Sequence, residues 1–477
     1  MATASRRVIV IGAGLSGLVC AHRLKQLGLD VLVLERSEIP GGVIRTDRVD
    51  GYLIERGPNS SQGTEDLLNL IDELGENDSV VEGDPKAPAY VYFGGRLHAV
   101  PSGPGAFLRS KLLSARGKLR ILGELFVSPS AGDGEESLAS FARRRIGSEA
   151  AERLVAPFVS GIFAGDANQL SAQAAFPRLA NLEKKYGGLI KGSIAKAREA
   201  RKAKKGAAQV LEKAAPARRH LVSFVDGMAH LPRILARSLG EDFVTGISDC
   251  NIHTIDATDS SQSPGRPRFS VEFIRDGRKE SVGAEQLVVA TPSQAAAELL
   301  RTVSSDLSDS LEEILYPPLA IVYLAYSKSA VSNPLQGFGF LVAPSEPLRI
   351  LGCVWSSSLF QGRAPEGMAL LTVFVGGARH PELALLPDDE LVSTVHADLR
   401  RVLQISGDPR VISITHYQRS IPQYNLGHAD RVKKIEQLLN EIPGLFLVGN
   451  YLHGVSTGDC VSQGELTARR VVGPSDG

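Results

Sequence analysis

The run Gly12-Ala13-Gly14-Leu15-Ser16-Gly17 sets how this chain must begin to fold. Residues 6–11 before it, two arginines and then four β-branched apolar residues, read as a strand, and residues 18–27 after it carry helical spacing. A second apolar run, Val31–Leu34, then ends at Glu35, which reads as strand, turn, helix, strand. In that context each glycine has a task. The first allows the tight turn, the second lets backbone approach a pyrophosphate, and the third lets helix and strand pack closely. The helix start then faces the phosphate charge. Glu35 ends the second strand where a carboxylate accepts hydrogen bonds from an adenosine ribose. Gly12, Gly14, Leu15, Ser16, Gly17 and Glu35 are therefore expected to hold a dinucleotide.

Both NAD and FAD use this unit, so the choice rests on the residues beyond Glu35. Arg36, then Gly41-Gly42 with Arg45 behind them, place a second glycine pair where backbone must pass close to a ligand held by the first loop. Glu55-Arg56-Gly57-Pro58-Asn59-Ser60 adds a third turn-forming segment. A separate NAD(P)H domain would need another strand-linked glycine motif. Gly337-Phe338-Gly339 instead sits inside a strand-like run. Near the other end, the apolar run 445–448 leads into Gly449-Asn450-Tyr451, then Val455-Ser456-Thr457, and a helix expected over 461–471. Such a helix start can aim amides at the electron-rich end of a flavin ring. The glycine pair resembles that of the FAD-binding amine oxidase and desaturase superfamily, and FAD is the expected cofactor.

Between these ends the chain changes character. Residues 106–215 read as mainly helical, with an amphipathic helix over 138–154, and 191–219 is rich in Lys, Arg and Ala. That basic stretch reads as a solvated helix or loop, with a membrane-surface patch as the sharper alternative. Strand signals return at 221–225, 271–274 and 287–290. They continue at 320–326, 337–342, 350–354 and 370–375 as a mostly antiparallel sheet, and 258–268 reads as a surface loop. The expected class is α/β, with a Rossmann-like FAD-binding domain (1–66, 220–300, 430–477). A mixed-sheet substrate-binding domain (67–105, 301–429) and an inserted helical subdomain (106–219) complete it.

Lys plus Arg equals Asp plus Glu at 53 each, which argues against a nucleic-acid partner. The four cysteines, Cys20, Cys250, Cys353 and Cys460, are too scattered for a zinc site or a disulfide framework, so no metal is expected. Residues 1–7 lack the apolar core of a signal peptide, and no apolar run is long enough to span a bilayer. The expectation is a cytoplasmic protein, with any membrane contact peripheral.

Motifs outside the cofactor loops narrow the reading further. The segments LASFARRRIG (138–147), VSGIFAGDANQL (159–170) with Phe176-Pro177, GFGFLV (337–342) and IPQYNLGH (421–428) resemble the porphyrinogen oxidases of haem synthesis, over essentially the whole chain. The resemblance implies an oxygen-using, six-electron oxidation of protoporphyrinogen IX or coproporphyrinogen III, with hydrogen peroxide as co-product. It adds Ile252 to the cofactor contacts and implies that Gly161, Phe338, Gly339, Leu341 and Phe374 line the substrate cavity. A homodimer and peripheral membrane contact through the helical subdomain are further expectations. Two departures stand out. Ala89 precedes Tyr90-Val91-Tyr92 where many protoporphyrinogen oxidases carry arginine, leaving Lys86 or Arg96 as nearby charges. Residues 455–460 also differ from the family's usual C-terminal loop. His428 and His453 are available, but no catalytic acid or base is assigned. A flavin amine oxidase, a carotenoid-type desaturase and a non-catalytic escort protein on the same fold are the competing readings.

Overall fold

The computed structural model describes residues 4–130, 134–207, 221–255 and 266–473. Its first sheet is built outward from Ala4–Ile11, which pairs in parallel with Val31–Leu34 on one side and with Arg278–Val289 on the other. Phe243–Val244 extends one edge in parallel. Phe269–Arg275 and Ser248–Thr254 continue from Arg278–Val289 as an antiparallel meander, and Leu445–Leu447 pairs with the end of that long strand. Val31–Leu34 is buried on both faces, as a central parallel strand must be.

One face of this sheet packs against helices Leu15–Gln26, Glu65–Glu73, His230–Leu239 and Thr457–Val472. The other packs against the meander and helices Ser293–Leu300, Ser305–Glu312 and His428–Asn440. Two expected boundaries therefore move. Residues 67–73 of helix Glu65–Glu73, expected on the substrate side, instead bury Leu67, Leu70 and Ile71 in the first core. Leu307, Leu311 and Ile314 likewise join the first sheet rather than the second.

The second sheet runs in the order Arg410–Tyr417, Leu319–Ser327, Met368–Gly376, Ile350–Val354, Gly339–Val342, Ala89–Phe93, Arg96–Ala99. Every pairing is antiparallel except that of Gly339–Val342 with Ala89–Phe93. Helix Asp388–Leu403 seals one face through Leu391, Val395 and Leu399.

The helix expected over 138–154 is broken. Gly147 adopts φ +92°, and a Cβ there would come within 2.5 Å of the Arg120 side chain. The chain therefore stops at Leu138–Ile146 and restarts as Ser148–Ala150, a π-turn over Ala151–Val155 and the helix Ala156–Phe163. Arg145 and Glu124 form a fully buried ion pair behind it. The Glu124 carboxylate also accepts the Leu189 and Ile190 amides at 2.7 and 3.0 Å, which fastens the start of helix Leu189–Ala207. The remainder of the basic run, 208–219, and residues 258–265 of the expected loop lie outside the described residues. No helix among the described residues is long and apolar enough to cross a membrane.

Candidate active site

The first glycine loop has the geometry a phosphate requires. Gly12 lies at φ +105°, and a Cβ on it would meet the Ala290 carbonyl oxygen at 2.8 Å. A Cβ on Gly17 would meet the Gly12 carbonyl oxygen at 2.2 Å. Gly14 is different: the nearest atom to its virtual Cβ is 4.0 Å away, so this side of the backbone is open. Gly14 also caps helix Leu15–Gln26 with no side-chain hydrogen bond and no acid in the first turn. The amides of Leu15, Ser16 and Gly17 are thus left for an anion.

The second loop closes on the first. Gly14 and Gly41 form a parallel bridge, the Gly41 amide donates to the Ala13 carbonyl at 2.8 Å, and Gly42 lies against the Gly14 Cα. Glu35 accepts from the Ala13 amide at 2.7 Å and the Ser37 amide at 2.8 Å, so its carboxylate is oriented from both loops. Arg45 donates to the Gly42 carbonyl at 3.0 Å and to Ser37 Oγ at 3.1 Å, whereas Arg36 is exposed. Ile252 is buried in strand Ser248–Thr254, on the apolar face shared with Ile9, Leu32 and Leu34. Its strand follows Ile247, whose amide donates to the Glu35 carbonyl at 3.2 Å.

The third loop is held from below. A Cβ on Gly57 would sit 2.3 Å from the Val43 carbonyl oxygen, so only glycine fits under the second loop. Pro58, Asn59 and Ser60 are half-buried and lead to Ser61, whose Oγ accepts from Thr457 Oγ1. That bond joins the loop to the C-terminal segment carrying Asn450, Val455, Ser456 and Thr457. Ser456 caps helix Thr457–Val472 in a reciprocal box with Asp459. The helix thus starts before 461, and Asp459 offsets part of the positive end expected to face the cofactor.

The first residue of the third segment carries a group to which the sequence assigned no role. Glu55 is 4% exposed and accepts from Thr46 Oγ1 at 2.7 Å and the Met228 amide at 2.9 Å. Burial outweighs those bonds and the nearby Arg363 and Arg233, and pushes its carboxyl up to about 7. Tyr323 donates to the Glu55 carbonyl at 2.6 Å, and Tyr417 to the Arg56 carbonyl at 3.0 Å.

On the substrate side, Gly161 abuts Leu341, and its virtual Cβ would lie 2.6 Å from Leu341 Cδ2. Phe338 and Phe374 meet in one apolar group with Val354, Leu359 and Phe360. Gly339 contributes backbone: at φ +138° it pairs with Ala89, and a Cβ would strike the Cys353 carbonyl at 2.1 Å. Ala89 is exposed beside it. His428 is buried against the Tyr424 ring, and burial drives its imidazole down to about 4, so it is neutral at pH 7. His453 is exposed and lies 3.4 Å from Glu436.

The family model for flavin containing amine oxidoreductases matches residues 15–472. The chloroplastic protoporphyrinogen oxidase of Oryza sativa subsp. japonica is 36% identical over 98% of this chain and 89% of its own length. The chain belongs to the flavin-containing amine oxidoreductases, in their porphyrinogen oxidase branch. The coproporphyrinogen III oxidase of Bacillus subtilis is 29% identical over 98% of this chain and 97% of its own. A crystal structure from Exiguobacterium sp. 255-15, provisionally assigned as a protoporphyrinogen oxidase, superposes with TM-score 0.77 at 25% identity. It covers 98% of this chain and 99% of its own. FAD is the cofactor of this oxidoreductase family, and the open Gly14 backbone, the uncapped helix start and the oriented Glu35 fit it.

Proposed function

We propose that the chain oxidises a porphyrinogen, protoporphyrinogen IX or coproporphyrinogen III, to the porphyrin late in haem synthesis. The observation that carries this reading is the full-length relationship to named oxidases of both substrates. Bound FAD supplies a two-electron acceptor, and removal of six electrons and six protons from the macrocycle is balanced by reduction of three dioxygen molecules to hydrogen peroxide. In this reading the FAD is held by Gly12, Gly14, Leu15, Ser16, Gly17, Glu35, Arg36, Gly41, Gly42 and Arg45 on the adenosine and pyrophosphate side. Gly57, Pro58, Asn59, Ser60, Ile252, Asn450, Val455, Ser456 and Thr457 complete the set. Gly161, Leu341, Phe338 and Phe374 give the macrocycle an apolar wall, which orients it and excludes water. His428 is uncharged at pH 7, so it is not assigned the part of a cationic acid.

The test is aerobic turnover of FAD-loaded protein with both porphyrinogens side by side, following porphyrin fluorescence and peroxide. Porphyrin formation from either supports the proposal; peroxide formation with amines but not with either porphyrinogen overturns it.

We also propose peripheral membrane contact through the helical subdomain. Leu119, Leu122 and Phe126 are exposed at helical spacing on Ala115–Leu122 and the turn after it, Phe126 at 88%, with Arg116 exposed nearby. Leu122→Glu/Phe126→Glu should abolish co-sedimentation with anionic vesicles at low salt. Absence of binding by the unaltered protein would end the idea. Homodimerisation is tested by sedimentation velocity.

A further inference from the structure

The segment 421–428 touches the helical subdomain and the C-terminal cofactor loop at once. Its main chain is bound to the former: the Ser171 amide donates to the Tyr424 carbonyl at 2.8 Å and the Leu426 amide to the Gln169 carbonyl at 2.9 Å. Gln423 Nε2 donates to the Phe163 carbonyl at 2.8 Å, at the end of the helix that carries Gly161. The Tyr424 ring, 2% exposed, stands edge-on to Phe163 at 5.8 Å and lies flat on His428 at 4.1 Å and 10°. Val455 packs against the same apolar cluster. From this slot the Tyr424 hydroxyl donates to the Asn450 carbonyl.

A peptide's carbonyl and amide point opposite ways and turn together, so anchoring the Asn450 oxygen fixes the plane that also carries the Tyr451 amide. The anchor is stiff, because an aromatic ring confined by an edge and a face has no other rotamer to adopt. The geometry points to Tyr424 as a positioning residue that holds the Asn450 peptide in register with the substrate-side helix Ala156–Phe163. This rests on the proposed contact of Asn450 and Val455 with FAD. In this role Tyr424 acts through the Asn450 peptide and the Phe163 ring, setting where one stands relative to the other.

Tyr424→Phe keeps the ring and deletes the hydroxyl. On FAD-loaded protein we expect wild-type FAD per chain, a shifted flavin midpoint potential and visible band, and KM within about twofold. The expected fall in kcat is about five- to a hundredfold, the scale set by small misplacements of reacting groups. A wild-type potential, band and kcat overturn the positioning role and leave the FAD contact standing. A fall in kcat with potential and band unchanged overturns it too, as a purely structural effect. Unaltered protein that binds no FAD overturns the cofactor reading instead. Should Tyr424→Phe not fold, Phe163→Leu loosens the slot and keeps the hydroxyl. A smaller spectral and potential shift in holoprotein then supports the proposal, and no shift overturns it.

Discussion

Glu55→Gln should stabilise the protein at pH 8 and leave it almost unchanged near pH 4.5. Glu55 is buried below the third cofactor loop, and its carboxyl is raised from 4.5 to about 7 because desolvation outweighs the Thr46 and Met228 bonds and the Arg363 and Arg233 charges. Arg363 is itself buried, and its guanidinium donates to Ser223 Oγ at 2.8 Å and the Phe224 carbonyl at 3.0 Å rather than to Glu55. Below pH 4.5 both the folded and the unfolded chain hold the proton, and no stability is lost. Between 4.5 and 7 the unfolded chain releases a proton that the folded chain keeps, so stability falls as pH rises; above 7 the loss is complete. The displacement corresponds to ~3 kcal/mol. Glutamine reproduces the protonated group, taking the Met228 amide on its oxygen and donating to Thr46 Oγ1, and it cannot ionise. Urea unfolding of FAD-loaded protein from pH 5 to 8 should show wild type losing up to ~3 kcal/mol relative to the variant. Parallel curves, or a variant less stable at pH 8, would mean that Glu55 is ionised throughout and that Arg363 outweighs burial.

Gly17→Ala drives a methyl group to 2.2 Å from the Gly12 carbonyl oxygen and 2.8 Å from the Ala290 Cβ, neither of which is the end of a flexible side chain. Bound FAD, read from the flavin absorbance per chain, should fall below about a tenth of wild type as the loop is forced out of its turn. Arg145→Met leaves the fully buried Glu124 without its cation and should cost ~3–5 kcal/mol, seen as a lower Tm and faster proteolysis. Adding Glu124→Leu should recover only part, because Glu124 also accepts the Leu189 and Ile190 amides. Ala89→Arg puts a carboxylate-binding cation on the strand paired with Gly339–Val342. It should raise kcat/KM for protoporphyrinogen IX by about tenfold, the worth of one charge-assisted hydrogen bond to a propionate; an unchanged kcat/KM refutes that placement.

What could be read before the fold was known was local. The strand, the glycine spacing and the acid at the next strand end fall within residues 4–35, so chain geometry alone aligns them, and Val31–Leu34 appears with the expected bounds. The amphipathic run over 138–154 misled for the opposite reason. Apolar spacing continues through Gly147, but there the backbone turns to φ +92°, which glycine adopts at no Cβ cost, and the Arg120 side chain fills the space a Cβ would need. The expected domain boundary after residue 66 cuts through helix Glu65–Glu73, whose Leu67, Leu70 and Ile71 join the first core, because an apolar pattern shows that a face is buried, not against what.

The residues missed at the site share one physical cause. Tyr323 donates to the Glu55 carbonyl, Tyr417 to the Arg56 carbonyl and Tyr424 to the Asn450 carbonyl. Each hydroxyl comes from the substrate-side sheet or the segment just after it, and each acceptor is a backbone oxygen in or next to a proposed cofactor loop. A bond to a carbonyl leaves no mark on the residue that accepts it, since every residue has one. Tyr323 and Glu55 lie 268 positions apart, so neither periodicity nor a motif can pair them. In this reading the proposed cofactor cradle is written in glycines, where the chain must bend, while tyrosine hydroxyls tie it to the substrate-side sheet and the segment after it through bonds that exist only in the assembled fold. Changes at the glycines should show first in cofactor content, and removal of these hydroxyls should show first in turnover of an enzyme that still holds its flavin.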